Sequence, residues 1–247
     1  MKAIILAAGQ GKRLLPHTKD RPKCLVPVAG RPVLEWEILV LLSRGLKEIV
    51  IMTGYRADLV ESFLNQRFAG YPIRTHYNPD YATTDNLYTC WLAGAEMTED
   101  FLLMNGDVLI EPEILTRLLK EARAPITLTI NRKDTYDEDD MKVITSGKKL
   151  LRVGKDLPLS EVNGESIGLL AFLGEGPAIF RETVARIMAA RDPSKRWFLS
   201  AIDDIAQKGL VWICDITGLY WCEIDYPQDL VLAERVALKI KEDLGLI

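Results

Sequence analysis

Gly9, Gly11, Lys12, Arg13, Lys19, Arg21 and Lys23 all stand within the first 23 residues, directly behind the apolar run from Ala3 to Ala8. A glycine loop at the carboxyl end of a buried strand presents bare backbone N–H groups, and cations inside it make the opening a place for a polyphosphate. Gly9 and Gly11 let the backbone come close to oxygen atoms, while Lys12, Arg13 and Lys23 neutralise charge that a nucleoside triphosphate carries or develops. Neither standard phosphate motif accounts for the loop. GQGKRL lacks the Gly-Lys-Ser or Gly-Lys-Thr of a P-loop, and Leu14 stands where a dinucleotide fingerprint needs its third glycine. Covalent chemistry has no evident nucleophile. The only histidines, His17 and His76, sit in no recognisable base or metal arrangement, and Ser200 has neither a nucleophile elbow nor a partner histidine, so it reads as a helix-start residue.

To hold such a loop the chain must supply strands that open on one edge. Short apolar runs alternate with helical patterns through the first half, the signature of crossover units and a parallel sheet. The pattern predicts a strand from Ala3 to Ala7, a helix from Val33 to Ser43, a strand in EIVIMTG and a helix from Ala57 to Phe68. A strand in PIRTHYN, a helical stretch from Leu87 to Glu96 and a strand in DFLLMNGDV follow. From Pro125 the period changes to alternation, in ITLTINR, MKVITSGKKLLRVG and SIGLLAFL, which suits antiparallel strands beside the parallel set. Helices are expected around Ala178 to Ala190 and Phe198 to Gln207, then strands in LVWICDI and YWCEID, and a last helix from Pro227. The expected fold class is α/β, a mixed, mainly parallel sheet flanked by helices, in one domain spanning 1–247.

Bulk properties narrow the function. At 247 residues and 48% hydrophobic content the chain can bury a full core. A net charge of -4 argues against a partner made of nucleic acid or a membrane surface, because phosphate-tracking domains are basic as a whole. Cys24, Cys90, Cys214 and Cys222 form no Cys-x-x-Cys pair and read as reduced core thiols. The apolar start is too short for a signal peptide and runs at once into cations, so the expectation is a cytoplasmic protein without an export signal.

The whole opening string, LAAGQGKRLLPHTKDRPKCLVPVAGRPVLEW, resembles the signature of the sugar-phosphate and alcohol-phosphate nucleotidyltransferases. Leu6, Ala7, Ala8, Gly9, Gly11, Arg13, Leu14, Pro16, Thr18, Pro22, Lys23 and Leu25 meet it, followed by Gly30, Pro32 and Leu34. The resemblance implies a Rossmann-like, GT-A-like fold of the nucleotide-diphospho-sugar transferases. It also implies a triphosphate held by Gly9, Gly11 and Arg13 and a reacting phosphate contacted by Lys23. LLMNGDV looks like the family's strand-end Gly-Asp motif and WCEIDYPQDL like its closing Glu-Ile-Asp segment, which makes Asp107 and Asp225 the expected metal ligands. Mg²⁺ prefers such oxygen donors and commonly takes one or two carboxylates. Arg13, Lys23, Asp107 and Asp225 are thus the expected catalytic set. Glu223, two residues before Asp225 on a strand, shares its face as a neighbour or spare ligand, and Asp229 reads as a structural helix-start residue.

Within that family YNPDYATTDNLYTCWLA and GESIGLLAF resemble the choline-phosphate and phosphonate cytidylyltransferase branch. Nucleotide contacts are then expected at Leu6, Ala8, Lys12, Tyr77, Asn78, Asp85, Asn86 and Gly106 as well. The expected reaction is Mg²⁺-dependent transfer of CMP from CTP to a small phosphomonoester or phosphonate, phosphocholine or 2-aminoethylphosphonate, with release of pyrophosphate. Glu165, Trp197, Tyr220 and Trp221 are the candidates for holding a cationic acceptor. A sugar-1-phosphate nucleotidyltransferase, an inositol-phosphate cytidylyltransferase and a catalytically dead regulatory subunit are the alternatives. DTYDEDD reads as a solvated loop.

Overall fold

A computed structural model describes residues 1–189 and 196–246. Along the chain run β1 (Lys2–Ala7), a short hairpin of β2 (Pro27–Val28) and β3 (Arg31–Pro32), α1 (Val33–Ser43), β4 (Ile49–Thr53), α2 (Ala57–Arg67) and β5 (Ile73–Tyr77). Then come α3 (Asn86–Leu92), β6 (Phe101–Asn105), β7 (Val108–Ile110), α4 (Pro112–Glu121), β8 (Ile126–Asn131), β9 (Lys142–Ser146), β10 (Lys149–Gly154) and β11 (Gly164–Phe172). The series closes with α5 (Gly176–Met188), α6 (Leu199–Ala206), β12 (Val211–Asp215), β13 (Trp221–Glu223) and α7 (Asp229–Asp243). The expected end of the α5 helix at Ala190 lies outside the described residues.

The chain forms two compact units, each built from separated segments. Met1–Thr83, Met104–Thr116 and Leu219–Ile247 make the first. In it β1, β4 and β5 pair in parallel, with Ile5 opposite Ile51 and Ile51 opposite Thr75. β1 is buried almost throughout, which is why it reads as a continuous apolar run rather than as an alternation. α1 is apolar on nearly every side and correspondingly buried, including Trp36, whose ring N–H donates to the Val28 carbonyl at 2.8 Å. A second, two-stranded ladder joins β13 to β7 in antiparallel register, Glu223 opposite Val108.

Thr84–Leu103 and Arg117–Gly218 make the second unit. β8 pairs antiparallel with β11 and parallel with β12, β12 with β10, β10 with β9, and β9 returns to β11, so the pairings form a closed circuit. Phe101 and Phe172 stack with ring centroids 4.4 Å apart at its core, and Phe180 packs on Phe172.

Three elements were not foreseen from the sequence. β7 begins directly after Asp107, a single residue pair beyond the end of β6, and reads as the tail of β6. The helix PEILTRLLKE begins at a proline, a favourable first position, and buries Ile114, Leu115 and Leu118 at helical spacing. The β2–β3 hairpin turns on Ala29 and Gly30, both at positive φ, as a two-residue turn of the twisted-hairpin type requires.

Candidate active site

β1 ends at Ala7, and the chain then enters the glycine loop, a 3-10 turn over Lys12–Leu14 and a second over Lys23–Leu25. Gly11 sits at φ 62°, where residues with a side chain are strained, and an added Cβ would stand 2.9 Å from the Cβ of Lys23. The buried Thr18 hydroxyl donates to the Gly11 carbonyl at 2.7 Å and fixes the loop from the other side. Gly11 is therefore required both for backbone conformation and for the close passage of Lys23.

Lys23 is the centre of the arrangement. Its ammonium donates to Asp107 Oδ2 and to Asp225 Oδ1, each at 2.7 Å. Arg13 reaches the other oxygen of Asp225 at 2.6 Å, and its guanidinium lies 5.0 Å from the centre of the Tyr226 ring. Burial works against the charged form of Lys23, but the Asp107 and Asp225 carboxylates outweigh it and its pKa is raised. The β7–β13 ladder explains why two aspartates so far apart in sequence meet: the Ile224 N–H donates to the Asp107 carbonyl at 3.0 Å, which sets the residues flanking each ladder strand side by side.

Glu223 joins them. One carboxylate oxygen from each of Asp107, Glu223 and Asp225 lies within 4.8 Å of the others. Desolvation, and then repulsion from Asp107 and Asp225, pushes the Glu223 carboxyl up to about 8. Because Glu223 keeps an open face to water, the repulsion is the durable part of that shift. Three carboxylates thus face two cations. Asp107 Oδ1 is buried and, among the described residues, has no hydrogen-bond partner. A buried anionic oxygen without a donor, set among further carboxylates, fits a hard divalent cation such as Mg²⁺.

Two residues outside the expected set support the aspartates. Asp229, at the start of α7, accepts the N–H groups of Asp225 and Tyr226 at 2.8 and 2.7 Å and so pins the loop that carries Asp225. Glu37 of α1, 1% exposed, accepts the N–H of Val108 at 3.3 Å, next to Asp107. Its other oxygen is buried without a partner among the described residues, and burial, followed by the nearby Asp107 charge, holds its pKa well above the carboxylate range. A glutamate inside so apolar a helix was the available sequence signal for it, since a helix apolar all round is buried and takes its charges with it.

The remaining expected residues divide between the units. Leu6, Ala8, Gly9, Gly11, Lys12, Tyr77, Asn78, Gly106, Tyr220 and Trp221 belong to the first. The carbonyl of Leu6 accepts the Gly106 N–H at 2.9 Å, and a Cβ on Gly106 would lie 2.8 Å from that carbonyl, so the backbones touch there. Ala8 accepts the Tyr55 N–H at 3.0 Å; Lys12 and Gly9 are exposed. Asn78 is wholly buried and its side chain accepts the Asp80 N–H at 2.9 Å, whereas Tyr77 and Tyr220 are exposed and Trp221 half-buried.

Asp85, Asn86, Glu165 and Trp197 belong to the second unit. The Asn86 side-chain Oδ1 accepts the Phe198 N–H at 2.8 Å, and burial raises the pKa of Asp85. Glu165 lies buried in β11 and accepts from the Lys133 ammonium at 2.8 Å and the Asn131 amide at 2.9 Å. Lys133 also pairs with Asp140 at 2.8 Å, while Asp139 pairs with Lys155, whose ammonium stands 4.9 Å from the Trp197 ring centre. The acidic segment after Lys133 is thus more than a solvated loop: it ties Glu165 and Trp197 into one network.

Residues 2–154 match the family described as Nucleotidyl transferase. The chain belongs to that family. It is 31% identical over 242 residues to the CMP-5'-(3-aminopropyl)phosphonate synthase of Streptomyces rubellomurinus, covering 93% of the present chain and 37% of that protein. It is 32% identical over 243 residues to the bifunctional IPC transferase and DIPP synthase of Rubrobacter xylanophilus, covering 96% and 52%. The chain therefore spans between about a third and a half of the length of these two curated relatives. Among solved structures it superposes on the inositol-1-phosphate CTP transferase from T. maritima with a TM-score of 0.81 at 26% identity, covering 100% of this chain and 97% of the other. The Rossmann-like α/β class expected from the opening motif holds for this chain. None of its helices, among the described residues, is long and apolar enough to cross a membrane.

Proposed function

We propose that this chain is a cytidylyltransferase that joins CMP from CTP to a small phosphomonoester or phosphonate and releases pyrophosphate. The observation that carries the reading is the Lys23 ammonium held between Asp107 and Asp225 with Arg13 on the outer oxygen. A phosphomonoester oxygen is already ionised near neutral pH, its second pKa being about 6, so the attack on the nucleotide α-phosphate needs no general base. What the reaction needs is position and charge. The glycine loop binds the triphosphate, and Arg13 and Lys23 neutralise the oxygens on which charge grows. Asp107 and Asp225, with Glu223 beside them, would hold Mg²⁺, which supplies Lewis-acid stabilisation of the phosphate oxygens. The four cysteines, all buried and free, support a reducing compartment, the cytoplasm. Retention of both cations and both aspartates speaks for an active enzyme over a regulatory subunit.

An aminoalkyl phosphonate or phosphocholine is the acceptor class we favour, on the similarity to the Streptomyces phosphonate synthase and on the segment around Tyr77 to Asn86. A second reading, a neutral polyol phosphate, gains from one observation: Glu165 is already paired with Lys133 and offers no bare carboxylate to a cation. Pyrophosphate release across CTP, UTP, GTP and dTTP, each with phosphocholine, 2-aminoethylphosphonate, inositol phosphate and glucose 1-phosphate, tests both. Preference for UTP, GTP or dTTP overturns the cytidylyl reading; preference for inositol phosphate with CTP favours the second.

A further inference from the structure

In the first unit an open cavity of about 410 Å³ is lined by Ala29, Gly30, Arg31, Glu35, Arg67 and Lys241. None of these residues takes part in the constellation around Lys23. Four elements contribute: the tip of the β2–β3 hairpin, the first turn of α1, the last residue of α2 and the last turn of α7. Three cations meet one carboxylate, a local excess of two positive charges in a chain whose net charge is -4. Arg67 and Lys241 each end a helix, where a cation offsets the helix dipole. That accounts for their sign but not for their meeting with Arg31 over one cavity.

The arginines are held in place. Glu35, whose side chain is 5% exposed, accepts on a single oxygen from both Arg31 and Arg67, the latter at 3.0 Å. The Arg31 guanidinium also lies 5.5 Å from the centre of the fully buried Trp36 ring, so its orientation is fixed from two sides. Lys241 has no ion-pair partner among the described residues, the acids that follow it, Glu242 and Asp243, being paired with Lys239. A guanidinium whose rotamer is already ordered loses little entropy when a ligand arrives.

We propose that this cavity is a second anion site, for a compact phosphate-bearing polyanion, separate from the nucleotide loop. Two guanidiniums and an ammonium suit phosphate oxygens, and Glu35 fixes the guanidiniums while leaving the cavity positive. The volume accommodates a diphosphate or a small phosphorylated molecule more readily than it selects a single inorganic ion.

The test is calorimetric titration of the full chain with sodium pyrophosphate, in EDTA and at constant ionic strength. The proteins compared are wild type, Lys23→Ala, the double variant Arg67→Gln/Lys241→Gln, and the charge-conserving pair Arg67→Lys/Lys241→Arg. Arg67 is half exposed and Lys241 is partly exposed, so these changes spare the core. The proposal expects a pyrophosphate site that persists in Lys23→Ala, weakens about tenfold or more in the Gln double variant, and is largely retained in the charge-conserving pair. Binding that vanishes in Lys23→Ala and is untouched by the Gln double variant overturns it, as does the absence of any binding in Lys23→Ala. Neither result bears on nucleotidyl transfer, which the nucleotide panel tests separately.

Discussion

Under the proposed function Lys23 has two jobs that pull in opposite directions. In the structure it is the counter-ion of Asp107 and Asp225; in the proposed transfer its charge is needed at phosphate oxygens. Lys23→Ala should therefore cut turnover by a hundredfold or so while lowering stability by about 1–3 kcal/mol in EDTA, a loss that Mg²⁺ restores by replacing the missing cation. Thermal melts with and without Mg²⁺, run beside a turnover assay, check this; a variant as active as wild type reduces Lys23 to a structural ion-pair partner. Asp107→Asn and Asp225→Asn keep the shape but remove formal charge from the proposed cation site, and each should raise the Mg²⁺ concentration needed for half-maximal rate at least tenfold. Near wild-type turnover at limiting Mg²⁺ in both variants rules the assignment out. These residues were legible from the sequence because their motifs are local strings. Glu165 was legible only as a residue worth naming: that Lys133 and Asn131 occupy it depends on a pairing 34 residues apart, Glu165 opposite Asn131, which no local pattern encodes.

At the level of elements, α1 links the interior to the site. Its Glu37 is buried in a helix with no polar face and accepts the backbone of β7. As its folded-state pKa lies above its unfolded value, the native state holds a proton there that the unfolded chain has released. The stability that this gives is complete below pH ~4.5 and is lost as pH rises toward the folded-state pKa. Glu37→Gln keeps an acceptor for Val108 and removes the titration, so its stability relative to wild type should increase from pH 5 to pH 8, read from urea midpoints. A constant difference across that range contradicts the buried-acid account. Gly11→Ala introduces a Cβ at positive φ against Lys23 and should cost about 1 kcal/mol or more together with a drop in activity, measured by melting and turnover on the same preparation. Most helix and strand limits followed from periodicity to within a residue or two. Two of the exceptions have physical causes: β7 is three residues long, too short for alternation to declare itself, and the β2–β3 hairpin has two residues a side; the third, α4, has no such cause, since its helical spacing is legible in the sequence.

Across the whole molecule, the expectation of one domain rested on the lack of any linker, and composition carries no mark of units assembled from separated segments. The closed circuit of β8 to β12 lies within one uninterrupted stretch, Arg117–Gly218, and its pairings are complete once that stretch exists. Unit one is different. Lys23 lies in its first segment, Asp107 in its second and Asp225 in its third, and the last of these is separated from Lys23 by 202 positions. A growing chain on the ribosome therefore carries the glycine loop and its cations through a further 202 positions with no Asp225 to complete them. Lys23 and Asp107 can pair early, but the second carboxylate arrives only when the third segment emerges and β13 finds β7. Until then, under the proposed function, the chain can meet the cell's nucleotides with the loop alone, and the arrangement that would split them forms only after the third segment joins the first two.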